Sequence, residues 1–370
     1  MNYSRDSKSI FGEISLPIVK PLELSASVRY DSYSDFGSTT NPNLGMVFKP
    51  FSWLKIFGHW NTTFNAPTAV DGLGIGTGRF VCGIYTPSAG PQDPLKKWNG
   101  TGDCAFLAEG AKAGIKPQTG NTWAAGLELT PLSNFSVGAE YYAIDFNNVL
   151  GSVDPTNAQT YISNQDLYVY NPSQATFNSF LAQLTNGAAL STQINASRIA
   201  LLIDRRTTNF SKARFEGIDF HANLALETGI GHFDIGISGN RVTKAKQTTT
   251  GVVTDLKPIN PQITMSNTLA WKKGGASARL TVNYSGKYRD GTPDYLGQPF
   301  NVDPFITTNL SLGYDFGQSN GVLKGLTVRA NVDNLFGVKP TYIRRGSGNV
   351  LSYANWTLGR VFKIGFSYKY

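Results

Sequence analysis

An alternation of apolar and polar residues with a period of two limits what this chain can fold into more than any other feature. Residues 22–31 read LELSASVRYD, so Leu22, Leu24, Ala26, Val28 and Tyr30 share one side and Glu23, Ser25, Ser27, Arg29 and Asp31 the other. Successive side chains of a strand point to opposite faces, so such segments are strands with one apolar and one polar face. The pattern returns over 276–289, where Ala278, Leu280, Val282, Tyr284 and Tyr288 alternate with Ser277, Arg279, Thr281, Asn283, Lys287 and Arg289. It returns over 306–316, and again at the end of the chain. There Phe362, Ile364, Phe366, Tyr368 and Tyr370 oppose Lys363, Ser367 and Lys369.

Thirteen strands are predicted, near 10–18, 21–32, 41–50, 53–65, 119–131, 133–149, 206–227, 231–246, 259–272, 275–289, 304–316, 323–336 and 360–370. Their joints alternate. One set is tight, at 18–20, 51–52, 132, 228–230 and 273–274, with a slightly longer one at 317–322. The other set is long, at 33–40, 66–118, 150–205, 247–258, 290–303 and 337–359. Short periplasmic turns alternating with long extracellular loops are the mark of an outer-membrane barrel. A soluble sandwich also buries apolar strand faces, but it has no reason to keep that alternation.

Composition agrees. Charged residues are 16% against a usual share of about 25%. Glycine numbers 39 and aromatics make up 12%, which suits strands facing lipid on one side and a polar lumen on the other. No run of about 18 uncharged apolar residues predicts a transmembrane helix. The net charge of +8 is spread over pairs such as Lys96-Lys97, Arg205-Arg206, Lys272-Lys273 and Arg344-Arg345. That is too dispersed for a nucleic-acid footprint, so no nucleic-acid partner is expected.

The alternation also sets a direction. With the tight turns periplasmic, the last strand runs toward the periplasm, and an odd count sends the first strand the same way. Complete single-chain barrels have an even number of strands. The opening MNYSRDSKSIF is not a signal peptide. Both observations lead us to expect a fragment. An isolated thirteen-strand sheet would leave two open edges, costly in lipid unless it closes or finds partner strands.

The motifs resemble those of the TonB-dependent outer-membrane receptors. Carrying the likeness are 29–37 (RYDSYSDFG), Asn41-Pro42-Asn43-Leu44-Gly45 and Phe48-Lys49-Pro50. Phe64-Asn65-Ala66-Pro67 resembles the family's F-R-A-P motif, with Asn65 where Arg is usual. Gly126-Leu127-Glu128 and 215–219 (FEGID) resemble two further strands, Asn334-Leu335-Phe336 the penultimate one, and Gly359-Arg360 through Tyr370 the closing one. The resemblance covers nearly the whole chain and implies an all-β, antiparallel transmembrane barrel in the outer membrane of a Gram-negative bacterium. It implies that these are the last thirteen of 22 strands, without about nine strands, the plug or the TonB box. In the family, plug and loops bind the solute and TonB pulls on the plug, so TonB would reach this chain only through a plug it lacks. A terminal aromatic such as Tyr370 resembles the signal read by the barrel-assembly machinery.

Cys82 and Cys104 lie in one Gly/Pro-rich stretch and are a candidate loop disulfide in an oxidising compartment, with two free thiols the alternative. Loops 66–118 and 150–205 are expected to be extracellular caps on the single barrel domain 1–370. Within the second, Phe177, Phe180, Leu181 and Leu184 have helical spacing, as do Ile199, Leu202 and Ile203, so short helices are predicted. Trp53, Trp60, Trp271, Tyr288 and Tyr314 fall near strand ends, as interfacial aromatics do. Lumen charges include Arg29, Glu140, Arg279, Lys287, Arg329 and Asp333. No catalytic, cofactor or metal motif is present: there is no G-x-S-x-G, H-E-x-x-H or P-loop, and His59, His221 and His232 are scattered. The function expected is active uptake of a scarce solute of the siderophore, cobalamin or oligosaccharide class. The alternatives are a passive pore and a non-functional receptor fragment.

Overall fold

The computed structural model describes residues 4–68, 71, 74–82, 104–152, 165–192, 194–249, 252–290, 298–317, 321–345, 348–351 and 358–369. In its first half these form β1 (Ser7–Val19), β2 (Leu22–Tyr33), β3 (Gly37–Phe51), β4 (Leu54–Asn65), β5 (Gly76–Cys82), β6 (Cys104–Gly110), β7 (Gln118–Leu132) and β8 (Phe135–Gly151). There follow β9 (Tyr168–Tyr170), α1 (Gln174–Leu181), α2 (Gly187–Ser191), β10 (Ile199–Asp204), β11 (Thr208–Thr228), β12 (Gly231–Thr249) and β13 (Val252–Asp255). The rest comprises β14 (Ile263–Lys273), β15 (Ala276–Ser285), β16 (Tyr288–Arg289), β17 (Asn301–Val302), β18 (Phe305–Asp315), β19 (Leu326–Asp333), β20 (Tyr342–Arg345), β21 (Gly348–Leu351) and β22 (Val361–Tyr368).

A fourteen-stranded antiparallel sheet dominates, with the order β1-β2-β3-β4-β7-β8-β11-β12-β14-β15-β18-β19-β22 and β13 added beside β12. Each of the thirteen predicted strands has its counterpart on this path. The order is a meander because each tight turn returns the chain to the neighbouring position. Gly274, for instance, turns β14 into β15 at φ +58, a left-handed conformation that suits glycine. No helix among the described residues is long and apolar enough to cross a membrane.

The register shows the two faces. Leu16, Leu24 and Met46 are paired across β1, β2 and β3, followed by Gly58 on β4. Further along, Trp60 stands opposite Trp123, and Ile56 opposite Leu127. Beyond them Leu280, Leu310 and Val332 continue the row. Leu24, Met46, Ile56, Trp123, Leu127, Ile237 and Leu269 are all more than a third exposed, so no covering layer lies on this apolar face among the described residues. The other face carries Ser25, Lys55, His59, Glu128, Glu140, Asp219, Ser238, Asn283 and Arg279. The buried core lies elsewhere, in a small second sheet of order β5-β6-β10-β9.

Three expectations need correction. Ile199, Leu202 and Ile203 belong to the strand β10, not to a helix, and every residue of that strand is buried. A strand covered on both faces shows no alternation, and its apolar run then imitates helical spacing. The 33–40 joint, expected to be long, is a three-residue turn, because β2 and β3 continue pairing up to Tyr33–Gly37. The strand predicted over 323–336 is shorter, since Asn334 takes φ +51 and ends β19 at Asp333.

Candidate functional site

Motif residues collect at the end of the sheet away from the tight turns. Where β4 leaves the sheet, the Phe64 ring meets Tyr33 edge-on at 5.6 Å, and Tyr33 stacks on Phe36 at 4.4 Å. Arg5 lies over Phe36, pairs with Asp35 at 2.7 Å and donates to the Pro67 carbonyl at 2.8 Å. Ala66 is half-buried between Phe64 and the buried Pro67, so the motif anchors the exit of a long connection.

At the exit of β19, Asn334 is almost wholly buried. Its side chain donates to the Val338 carbonyl and accepts from the Val338 amide, at 2.8 and 2.9 Å. Its own amide donates to Asn309 Oδ1. An Asn tolerates positive φ while its amide replaces backbone partners, which gives the motif position a physical reason. Leu335 donates its amide to the Thr308 carbonyl, and Phe336 stands exposed. A Cβ on Gly337 would lie 3.3 Å from the Arg360 guanidinium, and Gly359 beside it has φ +70. The Asn334-Leu335-Phe336 and Gly359-Arg360 positions thus come together, whereas the Phe64-Ala66-Pro67 group sits on another strand. Tyr370 lies outside the described residues.

The polar face is a wall of paired groups. Lys55 meets Glu128 at 3.2 Å, His59 meets Glu140 at 3.9 Å, and Asn240 donates to both Asp219 and the Tyr142 hydroxyl. Arg29 pairs with the buried Asp31, and Lys363 with Asp333. Arg279 instead lines a cavity of about 770 Å³ with His221, Asn223, Ser238, Ser266 and Thr268. Among the described residues no ion pair is formed by Arg279, Lys287 or Arg329. Trp60 and Trp271 each satisfy the indole N–H, on Asn121 Oδ1 and the Ile230 carbonyl.

The two longest connections, 66–118 and 150–205, are joined. β10 pairs in parallel with β6 and antiparallel with β9, and β5 adds beside β6. Helix α1 starts at Ser173, whose hydroxyl accepts the Thr176 amide, and it lays Phe177 and Leu181 on this sheet. Phe106 meets Phe177 edge-on at 5.1 Å inside a core with Leu184, Ile199 and Leu202. The sheet closes on a buried ion cluster. Asp204 accepts from Arg206 through both oxygens at 2.9 Å, and Lys112 Nζ lies 3.0 Å away. Burial alone would raise the Asp204 carboxyl. The hydrogen bonds from Arg206 and Lys112 outweigh it and hold the group below its ordinary value. Cys104 is buried and disulfide-bonded, and the register sets the Cys82 backbone directly opposite it. Sequence reasoning found both connections but missed their pairing, because parallel partners almost a hundred residues apart leave no local signal.

The profile described as TonB dependent receptor-like, beta-barrel matches residues 1–335. A variant of the ferric enterobactin receptor of Pseudomonas aeruginosa is similar in structure, with TM-score 0.64 and 17% identity over 98% of this chain and 44% of that one. The siderophore receptor PirA from Acinetobacter baumannii gives 0.62 and 15%, over 98% and 46%. The FrpB iron transporter from Neisseria meningitidis gives 0.58 and 13%, over 99% and 46%. The chain therefore spans less than half the length of these relatives, and at such identities the likeness is one of fold. No curated protein matches the sequence.

Proposed function

The chain belongs to the TonB-dependent receptor-like β-barrel family, and we propose that it forms barrel wall of an outer-membrane receptor taking up a scarce iron chelate of the siderophore class. The observation that carries this reading is the division of one long meander into an uncovered apolar face and a polar face of paired charges. In a bilayer the first faces lipid, where an unpaired charge costs roughly 2–4 kcal/mol at mid-depth, and the second lines an aqueous lumen. The substrate class rests on the structural relatives, which are a ferric enterobactin receptor, a siderophore receptor and an iron transporter. The β5-β6-β10-β9 sheet with α1 serves as an extracellular cap over the lumen, positioned by the Phe64–Pro67 exit. Energy would arrive from TonB through a plug, a part distinct from this sheet. The last strand, β22, which Tyr370 follows in sequence, is the one offered to the assembly machinery.

Ferric-siderophore uptake into cells carrying this chain in its genomic reading frame tests the proposal. Uptake that disappears in a TonB-deficient host supports it. Uptake that persists there, with steady ligand-independent conductance in planar bilayers, identifies a passive pore instead. The proposed partner of Cys104 is Cys82, the sequence's other cysteine. A bridge of this loop length stabilises by roughly 2–4 kcal/mol. Mass spectrometry of the unreduced protein should then show no alkylation, and two alkyl groups after reduction.

A further inference from the structure

Along β11 the apolar-face row runs, from the tight turn outward, Leu226, Leu224, Ala222, Phe220 and Ile218, and then changes abruptly to Glu216, Arg214 and Lys212. The matching row on β12 runs Phe233, Ile235, Ile237 and Gly239, then Arg241, Lys244 and Lys246. Arg241 and Lys244 are three apart, an odd offset that would ordinarily place them on opposite faces. A bulge resolves this. Gly217 pairs with Val242 and Glu216 with Lys244, so Thr243 is left over and both lysines turn to the apolar side. Side-chain contacts agree. Lys244 Nζ lies 3.0 Å from Glu216, which accepts from the Tyr141 hydroxyl, and the Tyr141 ring packs on Trp123 of the apolar face.

Charge does not balance here. Arg214 binds both Glu216 and Asp145, at 2.6 and 3.0 Å, and Lys244 adds to Glu216. Asp255 stands opposite Lys246 in register but accepts the Lys257 amide. Lys212, Arg241 and Lys246 remain exposed, and none of them forms an ion pair among the described residues.

We propose that this patch binds the phosphate-bearing headgroup of an outer-leaflet glycolipid, seated where the apolar band ends. The inference rests on the apolar face being the lipid face. The argument is charge complementarity at a fixed height. Surplus cations stand directly above five apolar layers on β11, at the end of the sheet opposite the tight turns. Phosphate is a strong acceptor for both ammonium and guanidinium groups, and lipid headgroups begin where the apolar band ends. Long lysine and arginine stems also let the charges rise to the interface while their methylenes stay on the apolar surface.

The test uses the full chain recovered from outer membranes in mild detergent, with bound glycolipid counted by native mass spectrometry. Wild type should retain at least tenfold more phosphorylated glycolipid than the triple variant Lys212→Gln, Arg241→Gln, Lys246→Gln. Dephosphorylated glycolipid should show no such difference. The charge-keeping set Lys212→Arg, Arg241→Lys, Lys246→Arg should restore retention. Heat-modifiable migration is followed in parallel. Equal retention in a heat-modifiable triple variant overturns the patch alone, as does capture of an acidic protein in place of lipid. Loss of heat-modifiability in wild type overturns the membrane reading on which the patch depends.

Discussion

Asp204 is the residue whose charge the cap depends on most, because its carboxylate is buried between Arg206 and Lys112. Its folded value is depressed, so the stability it adds is present above the ordinary carboxylate value, near 4, and lost as pH falls through the lower folded value. Limited proteolysis of the cap should therefore be slow and constant from pH 5 to 8 and accelerate below about pH 4. Asp204→Asn should weaken the cap by about 3 kcal/mol, since Arg206 would stay buried without its counter-charge. It should also remove that acid transition, and an unchanged acid profile would contradict the assignment. Asn334 makes a second case. Asn334→Ala loses both bonds to Val338 and puts a less tolerant residue at positive φ, so a loss of about 2 kcal/mol is expected in urea unfolding. The sequence displays Asn334 as a motif residue. Its reason, a side chain standing in for backbone in a turn, becomes visible only with Val338 beside it.

Elements on the large sheet were legible because their two faces meet different surroundings, and the sequence records that difference residue by residue. Leu22 to Asp31 needs no partner to be read as β2. The cap hides its strands for the opposite reason. β10 is buried on both sides by Phe106, Phe177 and Tyr168, so 199–203 carries a continuous apolar run with no period of its own. Helix α1 was readable because one of its faces remains exposed and its Ser173 cap is local. Leu202→Ala tests whether this strand holds the core of the small sheet. With Leu202 inside a packed sheet, about 3 kcal/mol of cap stability should vanish. Cleavage between 66 and 205 should speed up while the large sheet keeps its heat-modifiable migration. A variant with the wild-type cleavage rate would show that Leu202 does not hold the cap core.

For the whole molecule, thirteen strands in one antiparallel path, with an apolar face that nothing among the described residues covers, suit the proposed wall between lipid and water. Strand order and face were legible in the sequence, because tight turns join neighbouring strands and each strand repeats every second residue. The joining of two connections into one capping sheet was not inferable, and neither was the bulge at Thr243 that turns Lys244 and Lys246 toward the apolar side. Both depend on pairing between segments that carry no mark of each other. The wall itself is tested most directly by cysteine scanning along 232–240 of β12 in intact outer membranes, using a membrane-impermeant maleimide with access to both sides of the sheet. The account predicts labelling with a period of two. His232, Asp234, Gly236, Ser238 and Asn240 should react, and Phe233, Ile235, Ile237 and Gly239 should be shielded by lipid. Uniform labelling along the strand, or the opposite phase, would contradict it.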